Sequence, residues 1–336
     1  MARLPKAPLS PKRPFRMIKG VSALGDLVDG NTAPFNYPGE NYPNKVYFVN
    51  NITGSSTNDG LTWDTAMDQV STAVTAWEAY RATLATNNQN VRGRIYIQGT
   101  GTTYTYITAL PNYCDVIGIG ADPRGDGAGI VVLGSTGAYD GAAGSMRGTN
   151  WYNIQFISGN ASTSGFHAAI AYRSGFYNCT FGTGTGATAA PGHGLEITLG
   201  SGVTISNCAV VANQSFPLIG FEFADAGGNF SQCLIEDCAI YGSTTGLSNK
   251  ATLADISLVR NCFIYGGTTG VIDTVAGGSV AAGMWYTGNY VAGGTRAFNV
   301  TTYGSPLCIG NYVINGTLAN IDTELLGTGA TVGYST

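Results

Sequence analysis

At 336 residues the chain can bury a large core, yet charged residues make up only 11% of it and glycine reaches 49. The net charge of −4 conceals an asymmetry: residues 1–20 hold six basic residues and no acid, leaving 10 basic against 20 acidic residues elsewhere. So sparse a basic content excludes a nucleic-acid-binding body, no stretch reaches membrane-spanning length, and a surface this poor in charge is expected to be partly covered by other subunits.

Residues 1–20 place Pro5, Pro8, Pro11 and Pro14 at a three-residue period, with Arg3, Lys6, Lys12, Arg13, Arg16 and Lys19 between and beyond them. Polyproline II has three residues per turn, so the rings would line one edge and the cations the others. The segment reads as an extended arm that docks onto something negative, against the plainer reading of a flexible terminus. Proline rather than an apolar run follows the basic start, so no signal peptide is expected. Residues 21–90 form a connector and capping region. Val46-Tyr-Phe-Val49 is its first strand and Thr53 to Gly60 a polar turn. A helix from about Asp64 to Ala85 follows, with Thr65 and Asp68 as its cap. Ala66, Val70, Ala73, Trp77, Arg81 and Leu84 mark one of its faces. Such a helix would plug the open end of a solenoid. Strands resume at Arg94–Ile97 and Asp115–Ile119, and the turn Gly120–Gly125 leads to Ile130–Leu133.

Over residues 91–317 a short unit keeps returning: Asn153-Ile-Gln-Phe156, Asn178-Cys-Thr-Phe181, Asn207-Cys-Ala-Val210, Asp237-Cys-Ala-Ile240, Asn261-Cys-Phe-Ile264, Asn289-Tyr-Val and Asn311-Tyr-Val-Ile314. Its pitch is 25, 29, 30, 24, 28 and 22 residues. A β-unit repeating at that pitch with Gly-rich connections predicts an all-β chain, a single right-handed parallel β-helix. Equal positions on neighbouring rungs lie about 4.8 Å apart. Cys179, Cys208, Cys238 and Cys262 would then form an inward column of reduced thiols, as in a chain folded in a cytosol. Asn178, Asn207, Asp237 and Asn261 would form an inward polar ladder bonding turn backbone and one another, while Glu236 points outward by alternation. The runs Gly182–Gly186, Gly242–Gly246 and Gly266–Gly270 read as inter-rung turns in which glycine supplies positive φ. They lack the strand-to-helix context of phosphate loops. Residues 318–336 leave the repeat, as a cap on the last rung or a tail interlocking with a neighbour.

Val46-Tyr-Phe-Val-Asn50, Ser56-Thr-Asn-Asp-Gly-Leu-Thr-Trp-Asp-Thr-Ala66, Gly93-Arg-Ile-Tyr-Ile97 and Val116-Ile-Gly-Ile-Gly-Ala-Asp-Pro-Arg124 together resemble the opening of pectin-lyase-like β-helix proteins of the bacteriophage virion surface. The resemblance covers about residues 45–320. It implies a homotrimer with side-by-side β-helices, anchored to capsid or tail proteins by the N-terminal segment and displayed on the virion after assembly in the host cytoplasm. It leaves activity open, because the fold hosts lyases, hydrolases, adhesins and inert proteins alike. The chain is short for a depolymerase and fits capsid decoration (cement or head spike) somewhat better than a tail spike.

A glycoside hydrolase needs two carboxylates about 5 to 9.5 Å apart facing one groove. The best pair is Glu222 with Asp225 in Phe221-Glu-Phe-Ala-Asp225, although solvated turn residues would look the same. The only histidines are His167 and His193; far apart in sequence and without a visible acid partner, they read as packed or solvated side chains. Paired metal-ligand spacing is missing from the cysteines, so no metal and no cofactor are expected. Trp285, Tyr286, Tyr290, Tyr303 and Tyr312 form a late aromatic group suited to sugars or to subunit interfaces. The sequence thus favours a structural virion protein over a small depolymerase or a glycan-binding adhesin.

Overall fold

The computed structural model describes residues 43–84, 91–107, 109–125, 129–135, 144–159, 163–183, 190–212, 215–223, 228–251, 257–274, 284–300, 307–315 and 331–333. The expected docking arm, with Arg3, Pro5, Lys6, Pro8, Pro11, Lys12, Arg13, Pro14 and Arg16, lies outside these residues. The chain forms a right-handed parallel β-helix. Its strands stack into four sheets of eleven, eight, six and four strands, and every named pairing is parallel. One rung shows how. Gly175–Tyr177 lies in the eleven-stranded sheet, Thr180–Thr183 in the eight-stranded, His193–Ile197 in the six-stranded and Gly200–Ser201 in the four-stranded. The chain then enters the next rung at Thr204–Ser206.

Sharp corners bound the three-residue strands of the long sheet. At one corner Asn153, Asn178, Asn207, Asp237 and Asn261 take φ between 52° and 57°; at the other Arg173 and Gln232 take φ of 48° and 55°. Asn and Asp tolerate this left-handed conformation best among residues with a Cβ, which is why they mark the repeat. Their side chains do not point inward as the sequence suggested. They stack on the rim, where Asn178 Nδ2 donates to Asn153 Oδ1 at 2.9 Å and Asn207 Nδ2 to Asn178 Oδ1 at 3.2 Å. Asn207, Asp237 and Asn261 are exposed. The next residue turns inward, and Cys179, Cys208, Cys238 and Cys262 are all buried and unpaired. Cys208 Sγ serves as an acceptor at a corner that the sheet ladder leaves open, where the Cys179 backbone N–H donates to it at 3.4 Å.

Pairing of Phe263 with Tyr290 corrects the repeat's phase. Asn289 stands in the cysteine column, buried, and its Oδ1 accepts the Cys262 N–H at 2.9 Å. Gly288 (φ 63°) holds the left-handed corner, and Gly310 does so one rung later. The glycines of the Gly-Thr runs also differ from expectation. Gly242 and Gly266 are not at positive φ; a Cβ on either would sit 1.8 Å from the carbonyl oxygen of Thr245 or Thr269. Close approach of backbones, not turn conformation, requires glycine there, and the Gly242–Gly246 and Gly266–Gly270 turns join two strands of the same rung.

The helix spans Val70–Ala82, later than the expected start at Asp64. Residues 60–67 are already engaged: Met67 bridges Val49, its N–H donates to the Phe48 carbonyl, and Gly60 N–H to the Thr65 carbonyl. Thr65 therefore does not cap the helix. Its hydroxyl donates to Asp59 Oδ1 at 2.6 Å, and Gln69 occupies the N-cap without a side-chain bond. Val70, Ala73, Val74 and Trp77 are buried against the first strands, with Trp77 lying where Gly93 leaves room for its ring. Beyond it the interior is filled by Trp151, Phe156, Phe166, Phe176, Phe181, Phe221, Phe223 and Phe230, all fully buried.

Candidate functional site

The six-stranded sheet is built from a second repeat, x-Gly-apolar-polar-x, in Ser164–Ala168, His193–Ile197, Ile219–Phe223 and Thr245–Asn249, with Ile272 in the polar position of Thr269–Asp273. Arg296–Val300 ends the series with Ala297 in the glycine position. A Cβ at Gly165, Gly194, Gly220, Gly246 or Gly270 would fall 2.5–2.7 Å from the carbonyl oxygen of the next rung's equivalent residue. The residues flanking the polar position, such as Leu195 and Ile197, are buried in the core. The polar position itself gives a column of His167, Glu196, Glu222 and Ser248 in register; the first position aligns Ser164, His193 and Ile219.

These columns converge. The His193 ring lies between two carboxylates, Nδ1 at 3.2 Å from Glu196 Oε2 and Nε2 at 2.6 Å from Glu222 Oε2. Ser164 Oγ donates to Glu196 Oε2 at 2.5 Å and lies 3.3 Å from His193 Nδ1. Glu222, 1% exposed, also binds Lys250 Nζ at 2.6 Å and accepts from Ser248 Oγ at 3.2 Å. His167 Nε2 stands 3.7 Å from Glu196 Oε1 and 3.1 Å from Thr198 Oγ1. Burial opposes charge on His193, but hydrogen bonds to Glu196 and Glu222 outweigh it and raise its pKa to about 9. Burial likewise opposes charge on Glu196, and bonds from His193 and Ser164 overcome this to hold it at about 2. Glu222 is lowered too, its desolvation offset by His193 and Lys250.

Both acids are thus held ionised at neutral pH and His193 is held protonated. A glycosidase needs one carboxyl kept protonated as its acid, and a protonated histidine cannot accept a proton from Ser164. The arrangement matches charge with charge rather than poising a proton for transfer.

Sequence reasoning had the histidines wrong: both have an acid partner, in Glu196. Glu222 joins this cluster, whereas Asp225 lies outside the described residues. The signal that would have found the cluster is the glycine two residues before each of His167, Glu196, Glu222 and Ser248. Glu236 points outward as expected and pairs with Arg260 at 2.7 Å. Asp273 is buried, accepting from Asn249 Nδ2 at 3.1 Å and from the Tyr286 hydroxyl at 3.0 Å. The late aromatics do not form one group. Tyr286 is in the core, Trp285 is exposed on the eleven-stranded sheet, and Tyr290 and Tyr312 stand on the eight-stranded one, with Tyr303 outside the described residues. Among the described residues, no three His, Cys, Asp or Glu are grouped to hold a metal.

No family model matches the chain, and no curated protein does. Among solved structures it is similar to pectin methylesterase from Aspergillus niger in deglycosylated form, with 14% identity, a TM-score of 0.50, and coverage of 88% of this chain and 92% of that one. The same enzyme in penultimately deglycosylated form gives 15% identity, a TM-score of 0.47 and the same coverage. Likeness at this identity defines the fold alone, the pectin-lyase-like right-handed parallel β-helix.

Proposed function

We propose that this chain is a non-enzymatic structural protein of a bacteriophage virion surface, a capsid-decorating or short tail-spike homotrimer fastened to capsid or tail proteins through basic residues 1–20. The observation that carries the reading is the closed charge balance around His193. There Glu196 and Glu222 converge, yet both are ionised and occupied by His193, Ser164 and Lys250. The segment resembling phage proteins supports it as well, because its residues are used for folding. Asn58 Nδ2 donates to the Ala66 carbonyl at 2.8 Å, Asp59 accepts from Leu61 N–H and the Thr65 hydroxyl, and the Trp63 ring lies 4.7 Å from Phe48. The alternative, a polysaccharide depolymerase or glycan-binding adhesin of the same fold, has in its favour the placement of two glutamates in register on adjacent strands.

Deleting residues 2–19 tests the proposal. The truncated chain is expected to stay folded and oligomeric and to be missing from purified particles. Normal incorporation would overturn the arm, and release of oligosaccharides from a host surface polysaccharide, lost in Glu222→Gln, would overturn the non-enzymatic reading.

A further inference from the structure

We infer that the outer face of the eight-stranded sheet, around Tyr265 and Tyr312, is the surface on which a second copy of this chain docks. The inference rests on the multi-copy reading above and assigns it a place on the molecule. No strand of this sheet contains a charged residue, from Val132–Ser135 through Gln155–Ser158, Thr180–Thr183 and Ala209–Val211 to Ala239–Gly242, Phe263–Gly266, Tyr290–Gly293 and Tyr312–Asn315. The other large faces differ. The eleven-stranded sheet presents Arg92 with Asp115 and Arg260 with Glu236, and the six-stranded sheet has the His193 cluster.

Strand alternation sends Tyr241, Phe263, Tyr265, Tyr290 and Tyr312 outward while Ile240, Ile264 and Val291 enter the core. Tyr312 is 62% exposed and Tyr265 39%. The neighbouring corner continues the same chemistry, with Ser243, Thr244, Gly267, Thr268, Gly294 and Thr295 exposed and their backbones bonded rung to rung. On the earlier strands the outward residues Ile157, Thr180, Gly182 and Ala209 are already buried, so the open part of the face is the last four strands, about 14 Å across at the parallel spacing. The Ser-Thr-Gly corner extends this open part toward the six-stranded sheet.

The absence of charge selects the occupant. Sugars stack on the faces of aromatic rings, and along this face several rings spend theirs on one another. Phe263 and Tyr290 stack at 5.0 Å and 14°, Tyr290 and Tyr312 at 5.0 Å and 27°, and Phe216 and Tyr241 at 5.0 Å and 18°. Tyr265 is only tilted against Tyr241, at 6.4 Å and 47°, so what remains outward is this ring, the exposed Tyr312, hydroxyls that both donate and accept, and small uncharged side chains. A charged partner would lose solvation there without gaining a counter-charge. A second copy brings the same uncharged surface and the same rung spacing, so its side chains can interleave with these.

Size-exclusion chromatography with light scattering on the full chain tests this, using Tyr265→Lys with Tyr312→Lys, Tyr312→Lys alone as the milder form, and Trp285→Lys, exposed on the eleven-stranded sheet, as control. Wild type and Trp285→Lys are expected at a multiple of 34.8 kDa. The tyrosine variants are expected at the mass of one chain, with unchanged circular dichroism. Tyrosine variants that are folded and still oligomeric would overturn the face and leave the multi-copy reading standing. A Trp285→Lys variant that also dissociates would overturn the face as well. A wild-type chain at the mass of one copy would overturn both; if an added oligosaccharide then changed a tyrosine signal absent from the variants, the face would belong to a glycan.

Discussion

Raising the pH from 6.5 to about 9 should loosen the six-stranded sheet, and His193→Gln should abolish that dependence. The His193 pKa is raised from its ordinary 6.5 to about 9. A group with a raised folded pKa contributes stability that is complete below the unfolded value and is lost as pH climbs through the folded one. The displacement corresponds to about 3 kcal/mol, and screening at the partly exposed edge of the ring lowers this to about 2 kcal/mol. Glu196, held at about 2 from an ordinary 4.5, contributes stability that is present above pH 4.5 and lost as pH falls toward 2. These are the same contacts seen from the other partner, so the two figures do not add. Stability should therefore be flat between about pH 4.5 and 6.5 and fall on either side. Burial pushes Cys233, Cys308 and Tyr152 up to about 12, out of this alkaline window. Urea unfolding at pH 6, 7.5 and 9.5, with hydrogen exchange read at His193–Ile197, measures the effect. His193→Gln should be about 2 kcal/mol less stable than wild type at pH 6 and equal to it at pH 9.5. A wild-type profile flat to pH 9.5, or the same alkaline loss in His193→Gln, would refute the reasoning.

Gly246→Ala should cost at least about 3 kcal/mol and leave little soluble protein, since its Cβ would meet the Gly270 carbonyl oxygen at 2.7 Å and a stacked backbone cannot move aside. Thermal unfolding of the soluble fraction checks this against Gly101→Ala, which has nothing within 4 Å and loses only what its φ of 76° imposes, about 1 kcal/mol. Cys208→Ala should cost about 2 kcal/mol because it orphans the buried Cys179 N–H, while Cys208→Ser, which keeps an acceptor, should cost less; urea midpoints order the two.

The rungs were legible in the sequence because one residue type had to sit at one corner: with φ near 54° at Asn207 and Asp237, few side chains other than Asn and Asp are tolerated. Legibility failed where two residue types can solve one problem. Glycine takes the same corner at Gly288 and Gly310, so the asparagine that follows passes for the marker while its side chain does the work of a cysteine. The helix start failed for a related reason. Thr65 and Asp68 have the spacing of a cap, but pairing of Met67 with Val49 claims that stretch for the first rung before a helix can form. The His193 cluster was out of reach by pairwise spacing. His193 and Glu222 are 29 residues apart, and only the register of rungs separated by turns of unequal length makes them neighbours.

The same register explains why charge is scarce yet concentrated. On stacked parallel strands every side chain meets its counterpart about 4.8 Å away, so a repeated acid places like charges side by side. Glu196 opposite Glu222 is such a conflict, and its resolution requires a cation between them and another beyond, supplied by His193 and Lys250. Ser248 and Ile272 end the acidic run on the next two rungs. Elsewhere the conflict is avoided by stacking neutral groups on themselves, amides along the rim at Asn153, Asn178 and Asn207 and rings along the eight-stranded face at Phe263, Tyr290 and Tyr312. A uniform uncharged ladder has no internal repulsion to satisfy, and it needs no counter-charge on either neighbouring rung.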